Sequence, residues 1–336
     1  MTIYIFIYIV CFMLVFVPKN KFIYCLLYFA LLLIGGLRDL TIGTDTSNYY
    51  DMYRIIKYDP SGVDFVLGFV EPGWVFLNYL CGKHLNDYRF IVFFGVFLAI
   101  TPFFFRVWKS YKNPFGAIFF YITLFFYYNS FNITRQMIAV SIIIFSLYYL
   151  EKGKNKKFYL GVLTAMMFHY SSILCLSFPL LMKKMKLSTF GITFSLLFTY
   201  ACGVYIVPRI LPALPYIGRY SVYLIDGSGS GSITRLLLNL FFIFVYSTSN
   251  NHKLKRYFTL FFIGIVIYNL FAFSSSVGRI ALYFMCTQFL LLSTIDSRYK
   301  LNTYMLKLCS FLYATIYYIT MLNANSGEII PYKIWE

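Results

Sequence analysis

The stretch NITRQMIAVSIIIFSLYYLEKGKNKK (residues 132–157) contains the pattern that decides the fold prediction. Arg135 lies near its start, a largely apolar run continues to position 150, and a short loop rich in lysine follows. An apolar run that leads into basic residues is typical of a transmembrane helix that ends on the cytoplasmic side. The pattern therefore predicts a span at about 135–150 that runs from outside to inside.

The composition extends this prediction to the whole chain. Of 336 residues, 60% are hydrophobic and only 12% are charged, and the chain has 39 Phe and 33 Tyr. A soluble domain has no core large enough to bury so much apolar surface. Apolar runs of about 15 to 21 residues recur along the sequence, and about 20 residues cross the hydrocarbon layer as a helix. We therefore predict an all-α, polytopic transmembrane helical bundle.

The net charge of +17 would point to nucleic acid in a soluble protein. Here lysine and arginine are concentrated in short loops between apolar runs, which marks the cytoplasmic side of a membrane protein. No nucleic-acid partner is therefore expected, and the bilayer is the expected surroundings. The basic clusters lie at 18–21, 106–112, 151–157, 183–186, 251–256 and 296–300.

Placing all six clusters inside gives a topology of about 10–12 spans, with the amino terminus outside. The segment 158–182 joins two basic loops, so it is predicted to be a short re-entrant hairpin or two thin spans, with HYSS (169–172) at its outer tip. The ten full spans are predicted at about 3–17, 21–37, 89–105, 114–128, 135–150, 188–206, 234–247, 258–273, 280–295 and 302–322.

We predict one transmembrane domain over residues 1–336, because no internal repeat is evident. Its external loops are predicted at 38–65 and 207–233, and EPGWVFLNYLCGKH (71–84) is predicted to be a half-buried external helix. The first loop begins within GLRDLTIGTDTSNYYDMY (36–53), where carboxylates are concentrated in a chain that has few.

Arginines on the predicted outer side are the first candidate site residues. Arg38, Arg135 and Arg279 lie where positive charge is ordinarily depleted, and guanidinium groups bind phosphate oxygens in bidentate pairs. Arg135 and Arg279 also lie near the starts of predicted inward-running helices, where free N–H groups attract anions. The alternative is that Asn132, Thr134 and Ser276 cap helices while the arginines reach lipid headgroups.

His169 and Asp45 are the candidate bases. His169 interrupts an apolar segment, and histidine exchanges protons near neutral pH, so it is either a general base or a structural histidine bonded to a backbone carbonyl. Asp45 in GTDT is either a base or orienting group, or the cap of an Asx turn, and Gly43 is predicted to supply a tight turn. Tyr49, Tyr50, Tyr53 and Trp74 are either aromatic faces against which a ligand can stack or ordinary membrane-interface aromatics.

Several common cofactor signatures are missing from the sequence. It has no D-x-D, H-E-x-x-H or P-loop motif, and its seven cysteines never form C-x-x-C. No metal site, nucleotide or other cofactor is therefore expected.

The ordered fragments GLRDLTIGTD, EPGW, NITRQMIAVSII, LTAMMFHYSSIL, GRIALYF and IIPYKIW together resemble the EpsG family of bacterial membrane proteins. That family is related to the Wzy polymerases of O-antigen, capsule and exopolysaccharide. TIGTDT departs from the family, which more often has an aromatic residue after the aspartate. The resemblance implies that the recurring polar positions of the family are Arg38, Gly43, Asp45, Arg135, Gln136, His169 and Arg279.

The resemblance also implies a multi-pass protein of the bacterial inner or plasma membrane that polymerises glycan repeat units at its outer face. The substrate would be an oligosaccharide on undecaprenyl diphosphate, and the partners a flippase and a chain-length regulator of the same pathway. On this interpretation Arg38, Arg135 and Arg279 bind the diphosphate, while Gly43 and Gln136 support the site. His169 is the base, with Asp45 as its competitor.

Two other functions remain open at this stage. A flippase or transporter of a lipid-linked glycan would also carry external arginines, but repeats and paired intramembrane carboxylates are expected there. A transferase that uses a polyprenyl monophosphate sugar would place acidic residues in its first external loop, as Asp39, Asp45 and Asp51 are placed here.

Overall fold

The computed structural model describes residues 1–59, 70–182, 188–210, 232–249, 255–294 and 299–335. Helices dominate these residues, and they contain no β-strand, only an isolated bridge between Arg38 and Ile334. The all-α prediction is therefore confirmed for this part of the chain. Most of the second predicted external loop and the end of the first one lie outside the described residues, as does most of three basic clusters.

The chain divides into two compact units. The first consists of Met1–Leu176 together with Ala314–Glu336. Within 38–65, where the sequence predicts an external loop, it contains the helix Thr46–Tyr58. The helices of this unit before the turn at His169 are Thr2–Leu14, Lys21–Gly36, Thr46–Tyr58, Pro72–Leu80, Arg89–Ser110, Phe115–Thr123, Phe126–Asn132, Thr134–Glu151 and Asn155–Met166.

The second unit is Ser177–Tyr313. The predicted span at 280–295 consists here of two short helices separated by Cys286, where the Cys286 thiol and the Thr287 hydroxyl both bond to carbonyls of the preceding turn. The helix Lys300–Asn323 begins in this unit and ends in the first one. The other helices are Phe178–Leu181, Thr189–Ala201, Val207–Ile210, Ser232–Thr248, Lys255–Phe271, Ser275–Gly278, Ala281–Met285 and Thr287–Leu292.

Among the residues that the structure describes, three helices are long and apolar enough to cross a membrane by length and composition: Arg89–Ser110, Thr189–Ile210 and Lys300–Asn323. In Thr189–Ile210 a π-helical turn, Cys202–Ile206, joins Thr189–Ala201 to Val207–Ile210. Six further apolar helices have 10 to 17 residues, which at 1.5 Å per residue is shorter than the hydrocarbon layer. The composition and these helices identify a membrane protein. The topology of about 10–12 spans remains a prediction.

The buried centre of the first unit is the run from Phe115 to Leu147. One predicted span in this run is wrong in its extent. The predicted span 114–128 is interrupted at Phe125, where φ is +67°, and the chain continues as a second helix from Phe126. A left-handed phenylalanine is unfavourable for the backbone. Its burial and its ring contacts with Tyr128 at 5.1 Å and Tyr318 at 6.1 Å offset that cost.

The predicted hairpin at 158–182 has two unlike arms. The first arm is an α-helix that begins earlier than expected, at Asn155, and ends at Met166. The second begins as a 3₁₀-helix, Tyr170–Ser177. His169 lies at the turn between them, as the sequence predicts for HYSS, and its N–H donates to the Ala165 carbonyl.

The C-terminal tail (residues 324–335) pairs with the first loop (residues 37–45). The Asp39 N–H donates to the Lys333 carbonyl at 2.9 Å, and the Trp335 N–H donates to the Leu37 carbonyl at 3.1 Å. These bonds flank the bridge between Arg38 and Ile334. The end of the chain therefore forms part of the structure that positions the candidate residues between Arg38 and Asp45.

Candidate functional site

Glu71 joins two of the predicted site residues. It directly precedes the helix Pro72–Leu80 and is only 4% exposed. Its Oε2 accepts a hydrogen bond from Nη1 of Arg135 at 2.5 Å, and its Oε1 is 2.9 Å from Nδ1 of His169. The Tyr170 N–H also donates to Oε1, at 3.3 Å. We refer to Glu71, Arg135 and His169 as the Glu71 cluster.

Three local features bring the cluster together. Pro72 suits the first helical position, where its missing N–H is not needed, so the helix begins directly after Glu71. The Gly73 N–H donates to the Met167 carbonyl at 2.7 Å, and a Cβ on Gly73 would lie at the same distance from that oxygen. Position 73 therefore requires glycine, because the backbone there lies against the backbone of Met167. This contact holds Glu71 beside the turn at His169. Arg135 extends from the first turn of Thr134–Glu151, a helix start that the sequence predicts.

The electrostatics of the cluster favour an ionised Glu71. Burial by itself would raise the pKa of this carboxyl, but the hydrogen bond with His169 and the charge of Arg135 lower it below its ordinary value. An ionised carboxylate only accepts hydrogen bonds, so Nδ1 of His169 must carry the proton of that bond. Nε2 of a neutral His169 is then the proton acceptor.

Exposure separates the roles within the cluster. The side chains of Arg135 and His169 are 21% and 29% exposed, whereas that of Glu71 is 5% exposed. A substrate can therefore reach the guanidinium and the imidazole, while Glu71 acts on both from behind. Nε of Arg135 is buried and has no hydrogen-bond partner among the described residues.

Aromatic rings form a wall beside Arg135. The guanidinium carbon of Arg135 lies 5.6 Å from the centre of the Tyr49 ring, which in turn lies 5.0 Å from the ring of Trp74. Tyr49, Trp74 and Tyr53 are all buried, so their rings pack inside the first unit. Tyr50 differs, because 41% of it is exposed.

Asp45 interacts electrostatically with Tyr49. Burial, and to a smaller extent the negative charge of Asp45, raise the pKa of Tyr49. The Asp45 N–H donates to Oδ1 of Asn132 at 3.0 Å, and the Thr44 hydroxyl donates to the same oxygen. The capping alternative for Asn132 is therefore wrong, since its side chain fixes the first loop, and Thr134–Glu151 has no side-chain cap. Asp45 precedes Thr46–Tyr58 and likewise forms no side-chain cap bond.

Arg38 is buried rather than presented at a surface. It is 2% exposed, and it donates to the Gly35 carbonyl at 2.6 Å and to the Phe131 carbonyl at 3.0 Å. Burial lowers its pKa to about 10, so it remains charged at neutral pH. These contacts assign it the task of holding the first loop against the central helices. Its predicted contact with a diphosphate remains a prediction.

Gly43 makes the turn that the sequence predicts. Its φ is +99°, and the Thr46 N–H donates to its carbonyl at 3.1 Å. A Cβ at this position would lie 2.3 Å from the Phe131 carbonyl oxygen. Gln136, the other predicted supporting residue, is buried at 5% exposure in the helix that carries Arg135.

We expect Gly43→Ala to reduce stability more than Gly153→Ala does, by about 2 kcal/mol. Both glycines have positive φ, but a Cβ on Gly153 would meet nothing within 4 Å. The control therefore separates backbone strain from the clash with Phe131. Thermal unfolding of the two purified variants measures the difference, and equal midpoints would contradict the close approach at Gly43.

Arg279 belongs to the second unit. It lies between the helices Ser275–Gly278 and Ala281–Met285, it is half-buried, and its carbonyl accepts the Leu282 N–H at 3.0 Å. The structure thus brings Arg135 and His169 together, with Asp45 and Arg38 nearby in the same unit. A shared role of Arg279 with them remains a prediction.

Sequence reasoning did not select Glu71, although a signal was present. Glu71 is the sole charged residue in VLGFVEPGWVFLNYL (66–80). An ionisable residue in an apolar segment is a functional candidate by default, and this rule selected His169. Applied equally, it would have selected Glu71 too.

Comparison with known proteins gives a family-level match. The model of the EpsG family matches residues 21–334, a range that includes the whole Glu71 cluster and every other candidate site residue. No curated protein and no solved structure matches the chain.

Proposed function

The chain belongs to the EpsG family, and we propose from that membership and from the Glu71 cluster that it is a polysaccharide repeat-unit polymerase. The family points to a membrane protein of polysaccharide biosynthesis. The proposed reaction transfers a glycan from undecaprenyl diphosphate to the terminal sugar hydroxyl of another lipid-linked repeat unit. The observation that carries the proposal is an accessible cation and an accessible imidazole held by one buried carboxylate.

The reaction needs few catalytic groups. The acceptor hydroxyl oxygen forms a bond to the anomeric carbon of the donor glycan, and the bond from that carbon to the diphosphate oxygen breaks. The electron pair leaves with undecaprenyl diphosphate, and the hydroxyl proton passes to a base. A diphosphate is already a good leaving group, so the protein needs chiefly a cation for the departing charge and a positioned base.

His169 suits the role of base. Glu71 holds Nδ1 as the donor at 2.9 Å, which leaves Nε2 to accept the hydroxyl proton. A carboxylate in this position also stabilises the imidazolium that forms, as in other histidine–carboxylate pairs. Asp45 is the competing base in this proposal.

Arg135 suits the role of diphosphate ligand. Its guanidinium keeps its charge at any working pH, and its pairing with Glu71 holds it in one orientation before substrate arrives. Arg38, which holds the first loop, and Arg279 are the other two arginines that the sequence pattern proposes as diphosphate ligands. Gly43 and Gln136 support the loop and the helix that carry Asp45 and Arg135.

The proposed location is the bacterial inner or plasma membrane, with the site at its outer face. A flippase that delivers lipid-linked units and a chain-length regulator are the proposed partners. No cofactor takes part in the proposed reaction.

Gel analysis of surface glycan tests the proposal. We expect deletion of the gene to leave single repeat units on lipid at the outer face. Wild-type protein should restore the ladder, whereas Arg135→Ala, Arg279→Ala and His169→Ala variants present at normal membrane levels should reduce it strongly.

Other outcomes would reject the proposal in distinguishable ways. Lipid-linked units that accumulate at the cytoplasmic face indicate a flippase. A ladder that persists while each repeat lacks one sugar indicates the polyprenyl-phosphate-sugar transferase. Full activity in all three variants rejects the proposed site and leaves the polymerase assignment to be judged by the deletion alone.

A further inference from the structure

A polar pocket lies between the first loop and the C-terminal tail, apart from the Glu71 cluster. Its volume is about 370 Å³, within the range of pockets that hold small ligands. Neither the sequence motifs nor the family assigns it a ligand. The pocket is lined by Thr41, Asn325, Glu328, Ile330, Pro331 and Lys333.

The tail wall of this pocket is held in a defined shape. Nδ2 of Asn325 donates to the Ile330 carbonyl at 3.1 Å, and the Ile330 N–H donates to Oδ1 of Asn325 at 2.9 Å. Asn325, Gly327 and Glu328 all have positive φ, at 45°, 76° and 52°. A glutamate in this conformation costs backbone energy, and such residues concentrate at binding sites. This turn places Glu328 in the lining of the pocket.

The lining groups suit a neutral ring with many hydroxyl groups. Glu328 offers acceptor oxygens and Lys333 offers donor N–H groups, and both residues are exposed. Within the part of the chain that the structure describes, neither forms an ion pair. Ile330 and Pro331 add an apolar surface against which the C–H face of a sugar can pack.

The tail that lines the pocket is bonded to the loop that carries the candidate base Asp45. The Gly43 N–H donates to the Glu328 carbonyl at 3.4 Å, so the tail is bonded to the turn two residues before Asp45. Gly327 packs against the side chain of Asn132, since a Cβ there would lie 3.4 Å from Nδ2. The same Asn132 side chain holds Thr44 and Asp45. A sugar in the pocket would therefore lie next to the loop that carries Asp45.

We propose that this pocket binds a sugar unit of the acceptor glycan, through Glu328 and Lys333. The proposal rests on the proposed function, because it assigns the acceptor side of that same reaction. The tail then selects the acceptor, because only acceptors with a sugar unit that fits between Glu328 and Lys333 are extended.

Direct binding tests the pocket without requiring catalysis. The probe is the repeat-unit oligosaccharide released from the host's own surface glycan, titrated into the purified full chain by calorimetry. We expect Glu328→Gln and Lys333→Ala each to weaken binding about tenfold, because each removes a hydrogen bond between the sugar and a charged group. Glu151→Gln and Lys109→Ala are matched charge controls away from the pocket and should bind as wild type does.

The outcomes separate the pocket from the polymerase assignment. Undetectable binding to wild-type protein, or equal affinity in the Glu328 and Lys333 variants, overturns the sugar site. Weakened binding in these two variants, with an unchanged glycan ladder after gene deletion, supports a sugar site and rejects the polymerase. Lost binding in the two matched controls as well overturns the assignment to this pocket.

Discussion

Glu71→Gln is expected to reduce formation of the glycan ladder by about 100-fold or more. An amide has a single acceptor oxygen, and its NH₂ group would face a donor of either Arg135 or His169. The guanidinium of Arg135 and the imidazole of His169 would therefore lose their orientation, although the glutamine side chain has the same size as that of Glu71. The measurement is the rate of ladder formation in the deletion strain at equal membrane levels of each variant.

Glu151→Gln is the matched control for this variant. Glu151 is likewise a carboxylate that pairs with an arginine, Arg106, in the first unit. It lies in the basic cluster 151–157, which is predicted to be cytoplasmic, whereas the proposed reaction takes place at the outer face. We expect it to form the ladder at a rate close to wild type. A Glu71→Gln variant as active as this control would show that the cluster has no part in the reaction.

Arg135→Met is expected to lower the free energy of unfolding by about 2 kcal/mol and to abolish the ladder. The substitution leaves the carboxylate of Glu71, 4% exposed, without its cationic partner. Removing one member of a buried pair is strongly destabilising, and the partial exposure of Arg135 moderates the loss. Thermal unfolding of the purified variant measures the first effect and the glycan gel measures the second.

The double variant Glu71→Leu with Arg135→Met separates stability from function. Replacing both charges with apolar side chains removes the unpaired carboxylate, so most of the lost stability should return. The ladder should not return, because the double variant has neither the cation for the diphosphate nor the carboxylate behind His169. A double variant that regains both stability and the ladder would show that the pair is only structural.

Local patterns allowed much of the helical structure to be predicted. The spans predicted at 89–105, 135–150 and 302–322 lie within the helices Arg89–Ser110, Thr134–Glu151 and Lys300–Asn323, because apolar runs bounded by polar or basic residues mark helices. The first of these helices continues five residues beyond its predicted end. The turn at Gly43 and the position of His169 between two helical segments were also predicted correctly. All of these features depend on residues within one or two turns of each other.

The break at Phe125 and the burial of Arg38 were not predictable in this way. Phe125 has no turn-forming neighbour in FFYY, and its left-handed backbone is compensated by rings that include Tyr318, far along the chain. Arg38 resembles an exposed loop cation in sequence. In the structure it is buried, and its two terminal nitrogens donate to the carbonyls of Gly35 and Phe131, of which Phe131 belongs to a separate helix.

The sequence by itself determined that this is a helical membrane protein of the EpsG family with candidate arginines and a candidate histidine. Only the tertiary structure decided that Arg135 and His169 lie together, because the carboxylate that contacts both is 64 residues from one and 98 from the other. Helix formation depends on near neighbours, which periodicity reveals. Contacts between helices depend on which faces pack together, and on a glycine at position 73 that lets a backbone approach within hydrogen-bonding distance.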